Sequence, residues 1–135
     1  MENINILALL AGAVVPMAVG FLWYGPIFGK AWQKSLGFSD EDVQSGNMPV
    51  IFGVSFLVAM LVSYYLYQYV GYHKPEEQTF THSAFHGAQI ALLTAVPVLV
   101  SNSLFEKKNW TNILINASYW TLTMALIGGV MSLFY

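Results

Sequence analysis

His82, His86 and Gln89 stand four and three residues apart in the stretch FTHSAFHGAQIALL, residues 80 to 93. On a helix this spacing stacks their side chains along one face. Two imidazoles four residues apart have the spacing of a helical zinc-binding pair. With Glu77, or its neighbour Glu76, from the preceding segment they make three candidate metal ligands, one fewer than a closed structural zinc site takes. The same face suits a second chemistry, the passage or binding of protons, ions or a small solute. Histidine ionises near neutral pH, and polar side chains within membrane spans often line a pathway. Tyr65 and Gln68 join His82, His86 and Gln89 as candidate walls of such a pocket. The third use is mute: interhelical hydrogen bonds that fix packing, worth about 0.6 kcal/mol each on average.

A second polar group comprises Asn102, Glu106, Asn112 and Asn116, with Tyr119 and Thr123 continuing the face of Asn112 and Asn116. Catalysis has little to work with. The chain has no cysteine. Ser83 and Ser101 lack an evident base with a third group to orient it, and no carboxylate falls within an apolar run. The sequence therefore leans away from an enzyme and implies no cofactor, with a metal at the two histidines the less favoured alternative.

The elements that position these residues follow from charge. Hydrophobic residues make up 56% of the 135 and charged residues 9%, whereas a soluble domain carries about 25% charged residues. So few charges cannot coat a surface facing water, and lipid is the fitting solvent. The ionised residues are confined to Glu2, to 30–42, to 74–77 and to 106–108. Between these intervals lie four uncharged runs, at about residues 4–24, 49–69, 80–104 and 112–134. Each has the roughly 20 residues a helix needs to cross a hydrocarbon core. The expected fold is all-α: one domain of four transmembrane helices. The first run reads as a span rather than a signal peptide, since its flank MEN offers Glu2 and no positive charge.

Four spans place both termini on one side. Loops one and three hold Lys30, Lys34, Lys107 and Lys108, against Lys74 alone in loop two. The positive-inside rule then makes loops one and three cytoplasmic and both termini external, the arrangement of a multi-pass inner-membrane protein. Aromatic residues mark the boundaries: Trp23, Tyr24, Trp32 and Trp110 at the inner ends, and Tyr64, Tyr65, Tyr67, Tyr69 and Tyr72 at the outer end of span two. With no arginine and a net charge of −2, there is no basic patch for nucleic acid.

Loop one, GPIFGKAWQKSLGF, opens on a Gly-Pro turn signal. From Ile27 onward, Lys30, Gln33 and Lys34 share one helical face, while Phe28, Trp32 and Leu36 mostly lie away from it. That pattern predicts a short interfacial amphipathic helix. SDED follows, with Ser39 as N-cap and Asp42 as its acidic partner in a capping box. Pro49 sits near the first helical position of span two.

Three segments, FLWYGPIFGKAWQKSLG, FHGAQIALLTAVPVLVSNSLFEKKNW and LINASYWTLTMALIGGV, resemble the bacterial membrane family called domain of unknown function 1761. The resemblance rests on the Trp23-Tyr24-Gly25-Pro26 turn, the Phe28-Gly29-Lys30-x-Trp32 that follows, the His86-Gly87 pair and Leu104-Phe105-Glu106. It covers nearly the whole chain. It implies a small polytopic membrane protein with no established activity, and it assigns no site.

Small residues point to a further role. Ala8, Gly12 and Gly20 recur near one side of span one. Ser55, Ala59 and Ser63 repeat every four residues in span two, as do Ala125 with Gly129 and Gly128 with Ser132 in span four. Such faces let helix backbones approach closely. The expected function is that of a self-associating packing or accessory subunit. The alternative is a transport or ligand-binding protein with an external pocket around His82, His86 and Gln89. The expected partners are the bilayer and further copies of the chain; the sequence names no small-molecule ligand.

Overall fold

The computed structural model describes residues 4–135; residues 1–3, which include the Glu2 flank, lie outside the described residues. Asn5 caps the first helix, α1 (Ile6–Leu22), by accepting from the backbone N–H groups of Leu7 and Ala8. A π-type turn, Trp23–Ile27, prolongs α1 until Gly25 leaves helical geometry ahead of Pro26. Then come α2 (Gly29–Leu36), α3 (Asp40–Gln44) and α4 (Met48–Gly71). Thr79 caps α5 (Phe80–Ile90), which runs through a π-type turn, Ala91–Ala95, into α6 (Val96–Phe105). Asn109 caps α7 (Trp110–Met131). No strand occurs among the described residues.

Four apolar helical stretches are long enough to span a membrane: Ile6–Ile27, Met48–Gly71, Phe80–Phe105 and Trp110–Phe134. We refer to them as spans one to four. Leu7, Phe21, Leu61, Leu93 and Leu114 are each more than 60% exposed. A water-soluble bundle would bury such a belt of large apolar side chains; carried on the outside, it suits lipid. The two ends of the bundle differ. One holds the start of α1, the end of span four and loop two, and is called the histidine end below. The other holds loops one and three, with Lys30, Lys34, Lys107 and Lys108, and is called the lysine end.

Span four is the centre of the bundle. It packs against all three other spans, and span one also packs against span two. Leu66 and Val70 of α4 meet Ile127 and Met131 of α7 in the core, with Ala8 of α1 and Ala91 at the bend of span three. Spans three and four come closest where Gly87 and Gly128 face each other's helix. A methyl group on Gly87 would run into the Met124 carbonyl oxygen, and one on Gly128 into that of Ser83. Only a residue without Cβ permits that approach.

The π-type turn in span three ends two residues before Pro97. Proline supplies no N–H to continue the ladder, and its ring crowds the preceding turn. At the same place the Thr94 hydroxyl donates to the Ile90 carbonyl oxygen at 2.6 Å.

The amphipathic helix expected in loop one is α2. It ends at Gly37, whose φ of +69° forms a left-handed C-cap. The capping box at Ser39 and Asp42 is present at the start of α3.

Candidate metal centre

Loop two is short, so the end of α4 returns close to the start of α5. His73 lies just beyond α4, its backbone N–H donating to the Val70 carbonyl oxygen at 3.0 Å. Gln78 pins the loop by donating from Nε2 to the His73 carbonyl oxygen at 3.0 Å. Thr79 Oγ1 accepts from the His82 N–H at 3.3 Å and sets the first turn of α5. One turn on, the Gly87 contact clamps α5 against span four, while the adjacent His86 points toward the end of span two.

All three histidines of the chain consequently meet. One ring nitrogen from each of His73, His82 and His86 lies within 4.8 Å of the other two. The ring centroids are 5.1 Å apart for His73 and His82, 4.8 Å for His73 and His86, and 4.6 Å for His82 and His86. Each ring is half-buried.

The partners of the rings set which nitrogens are free. His73 Nδ1 lies 3.0 Å from the Tyr69 carbonyl oxygen. A carbonyl only accepts, so Nδ1 carries the proton and Nε2 keeps its lone pair. His86 Nδ1 lies 3.2 Å from Gln89 Oε1 and 3.4 Å from the Tyr69 hydroxyl. With Nδ1–H donating to the amide oxygen, His86 also presents an unprotonated Nε2. That atom is 3.1 Å from His82 Nε2. With its proton on Nε2, a neutral His82 donates to His86 Nε2 and closes the contact; with its proton on Nδ1, the two Nε2 lone pairs converge on a point that a cation can occupy. Metal-bound histidines characteristically donate their other ring N–H to a carbonyl or carboxylate, which fixes tautomer and orientation.

Tetrahedral zinc–nitrogen bonds of about 2.0–2.1 Å put ligand nitrogens about 3.3 Å apart. The His82–His86 pair is already at that spacing. Bringing in the third nitrogen takes side-chain movement on the order of 1 Å.

Of the other residues singled out in the sequence, Gln89 is hydrogen-bonded to His86. Tyr65 stacks toward Tyr69, with ring centroids 6.3 Å apart, and does not reach the imidazoles directly. Gln68 turns to Tyr64, donating to its hydroxyl at 3.3 Å. Glu77 stands outside the trio; its carboxylate accepts from the Lys74 N–H at 3.4 Å. Sequence reasoning missed His73 and Tyr69. The signal for His73 was its place at the mouth of a short loop leading to the other two histidines.

At the lysine end the polar residues do something else. The Tyr24 hydroxyl donates to Asn116 Oδ1 at 2.7 Å, and Asn116 Nδ2 donates to Asn112 Oδ1 at 3.1 Å. Asn112 Nδ2 donates to Ser35 Oγ at 3.1 Å, and Asn109 Nδ2 to the Ser35 carbonyl oxygen at 3.1 Å. This chain ties α2 to the start of α7. Glu106 pairs instead with Lys108 at 2.5 Å, and the exposed Asn102 stands apart.

The fold and this geometry define a small four-span helical membrane protein with a cluster of histidines at one end. The chain belongs to the family described as "Protein of unknown function (DUF1761)", whose model matches residues 7–132. No curated protein and no solved structure matches it.

Proposed function

We propose that this protein binds a divalent first-row transition-metal ion at the histidine end of the membrane, through His73, His82 and His86. The convergence of the three imidazoles carries the reading, and the Nδ1 partners of His73 and His86 support it. Imidazole ligands suit zinc, copper, nickel and iron, and not magnesium or calcium. Three protein ligands leave a fourth position open, the arrangement of sites whose ion meets a further molecule. The proposal falls within the ligand-binding class. Self-association finds less support, because Gly12 meets Ser63 and Met131, and Gly128 and Gly129 meet α5, all within one chain.

The lysine distribution supports placing the lysine end in the cytoplasm of a bacterium and the metal site outside. Labelling of single cysteines introduced at Lys74 and at Lys107 from opposite sides of the membrane tests that orientation.

Zinc titration of the purified protein in nanodiscs, by competition with a coloured chelator, tests the metal reading. The expected result is one zinc ion per chain. His73→Ala, His82→Ala and His86→Ala should each weaken binding at least tenfold, and Glu77→Gln should leave it unchanged. Equal zinc affinity in the wild type and in the triple histidine variant sinks the proposal. Loss of binding in Glu77→Gln with retention in His73→Ala would move the site to His82, His86 and Glu77.

A further inference from the structure

Below the histidines, spans two and three part. A shallow cavity of about 540 Å³ lies between them. Val62 of span two forms one wall; Thr94, Ala95 and Val98 of span three form the other. Trp120 and Met124 of span four make the floor. We infer that this groove is a binding site for one acyl chain of a glycerophospholipid from the leaflet at the lysine end. The inference stands apart from the metal reading and uses none of its ligand chemistry.

Depth is the first support. Val98 and Thr94 lie seven and eleven residues from Phe105, about 10 and 16 Å along the helix. Half a hydrocarbon core is about 15 Å. The groove therefore occupies the level reached by the far half of an acyl chain from the nearer leaflet.

The lining is the second. Its one side-chain hydroxyl, on Thr94, already donates to the Ile90 carbonyl oxygen. Water entering the groove would find too few polar partners to stay, whereas a hydrocarbon chain needs none.

The third is direction. Toward the histidine end the seam is shut by Tyr69 against His86 and His73 against His82. Toward the lysine end it stays open: Ser55 of span two and Val98 and Asn102 of span three are all exposed. Ala95, at the end of the π-type turn, and Val98 and Asn102 of α6 fall three and four residues apart, on one face of span three. The Asn102 amide has no hydrogen-bond partner among the described residues, and the exposed Lys107 lies beyond it. An amide and a cation at the mouth of an apolar groove suit the ester and phosphate of a phospholipid head. A partner helix would need a trough along the whole span, and the closed histidine end denies it one.

Native mass spectrometry after exhaustive detergent washing tests the site. The wild type should retain one phospholipid per chain. Ala95→Phe and Val98→Trp, which fill the groove from two positions, should each retain at least tenfold less while binding zinc as the wild type does. Wild type stripped of phospholipid, or both variants retaining as much as the wild type, overturns the proposal. So does a disulfide between two Val98→Cys chains in the bilayer, which would seat a second copy there. A wild type that keeps the lipid and binds no zinc refutes the metal reading alone.

Discussion

Each end of the bundle holds a cluster of polar side chains, yet the two are wired differently. At the lysine end every link from Tyr24 through Asn116 and Asn112 to Ser35 pairs a donor with an acceptor. Asn112 is 1% exposed and leaves nothing to offer a ligand. At the histidine end the half-buried rings face one another through ring nitrogens, each able to donate or accept according to where its proton sits, so the same contact closes as a hydrogen bond or opens to a cation. A complete donor–acceptor chain fixes helices. Converging imidazoles can trade that bond for a shared metal ion. The identity of the residues matters less than whether their valences close.

Removing the buried amide should break the lysine end most severely. Asn112→Ala deletes the link between α2 and α7 and leaves Ser35 Oγ and Asn116 Nδ2 short of a partner. Unpaired buried groups cost about 1–3 kcal/mol each in water-soluble proteins, although interhelical bonds in bilayers average nearer 0.6 kcal/mol. A loss of about 1–3 kcal/mol is expected in unfolding by denaturant in mixed micelles, with zinc affinity unchanged. If zinc affinity falls in step with stability, the two ends are coupled and the contrast between them fails.

An effect of comparable size, on binding rather than on stability, should follow from Gln89→Leu at the other end. Gln89 would not touch the ion; it holds His86 Nδ1 and so fixes the ring that does. Groups in that position change metal affinity by about 10–100-fold. The expected outcome is a loss of zinc affinity of that size with little change in stability, since Gln89 is exposed. Rescue by Gln89→Glu, which keeps an acceptor oxygen, would separate positioning from bulk. Unchanged affinity in Gln89→Leu would mean that Tyr69 alone orients His86.

Much of this was readable before any coordinates. The four spans follow from where charges are missing, a property of composition that packing cannot alter. His82, His86 and Gln89 fall on one face because helical periodicity is local, and Asn112 and Asn116 for the same reason. The partners from elsewhere were not readable. Tyr24 and Ser35 bond to α7 across 92 and 77 residues of sequence. Which side of α4 meets the histidines depends on its rotation, set by Leu66, Tyr67 and Val70 seating in the core. That rotation brings Tyr69 to His86 and turns Gln68 toward Tyr64. Burial of those three residues was not marked by the pattern of span two, which is apolar on every side.

The smallest effect belongs to a polar contact outside the spans, where water competes. At the start of α3, the Ser39 backbone N–H donates to Asp42 Oδ2 at 2.7 Å, and the Ser39 hydroxyl donates to the same oxygen at 2.8 Å. These bonds hold the Asp42 carboxyl below its usual range, the backbone bond contributing most. A carboxyl whose folded value is depressed stabilises the fold above its unfolded value, near 3.9, and that stabilisation is lost as pH falls through the folded value. The capping box should therefore be intact at neutral pH and open only in strong acid. Ser39→Ala removes the hydroxyl bond and should raise the Asp42 titration midpoint, measured by carboxyl carbon NMR in nanodiscs. Because the carboxyl is fully exposed, global stability should barely move. A midpoint that is the same in the wild type and in Ser39→Ala would show that the hydroxyl contributes nothing there. The comparison between the two ends would then rest on buried contacts alone.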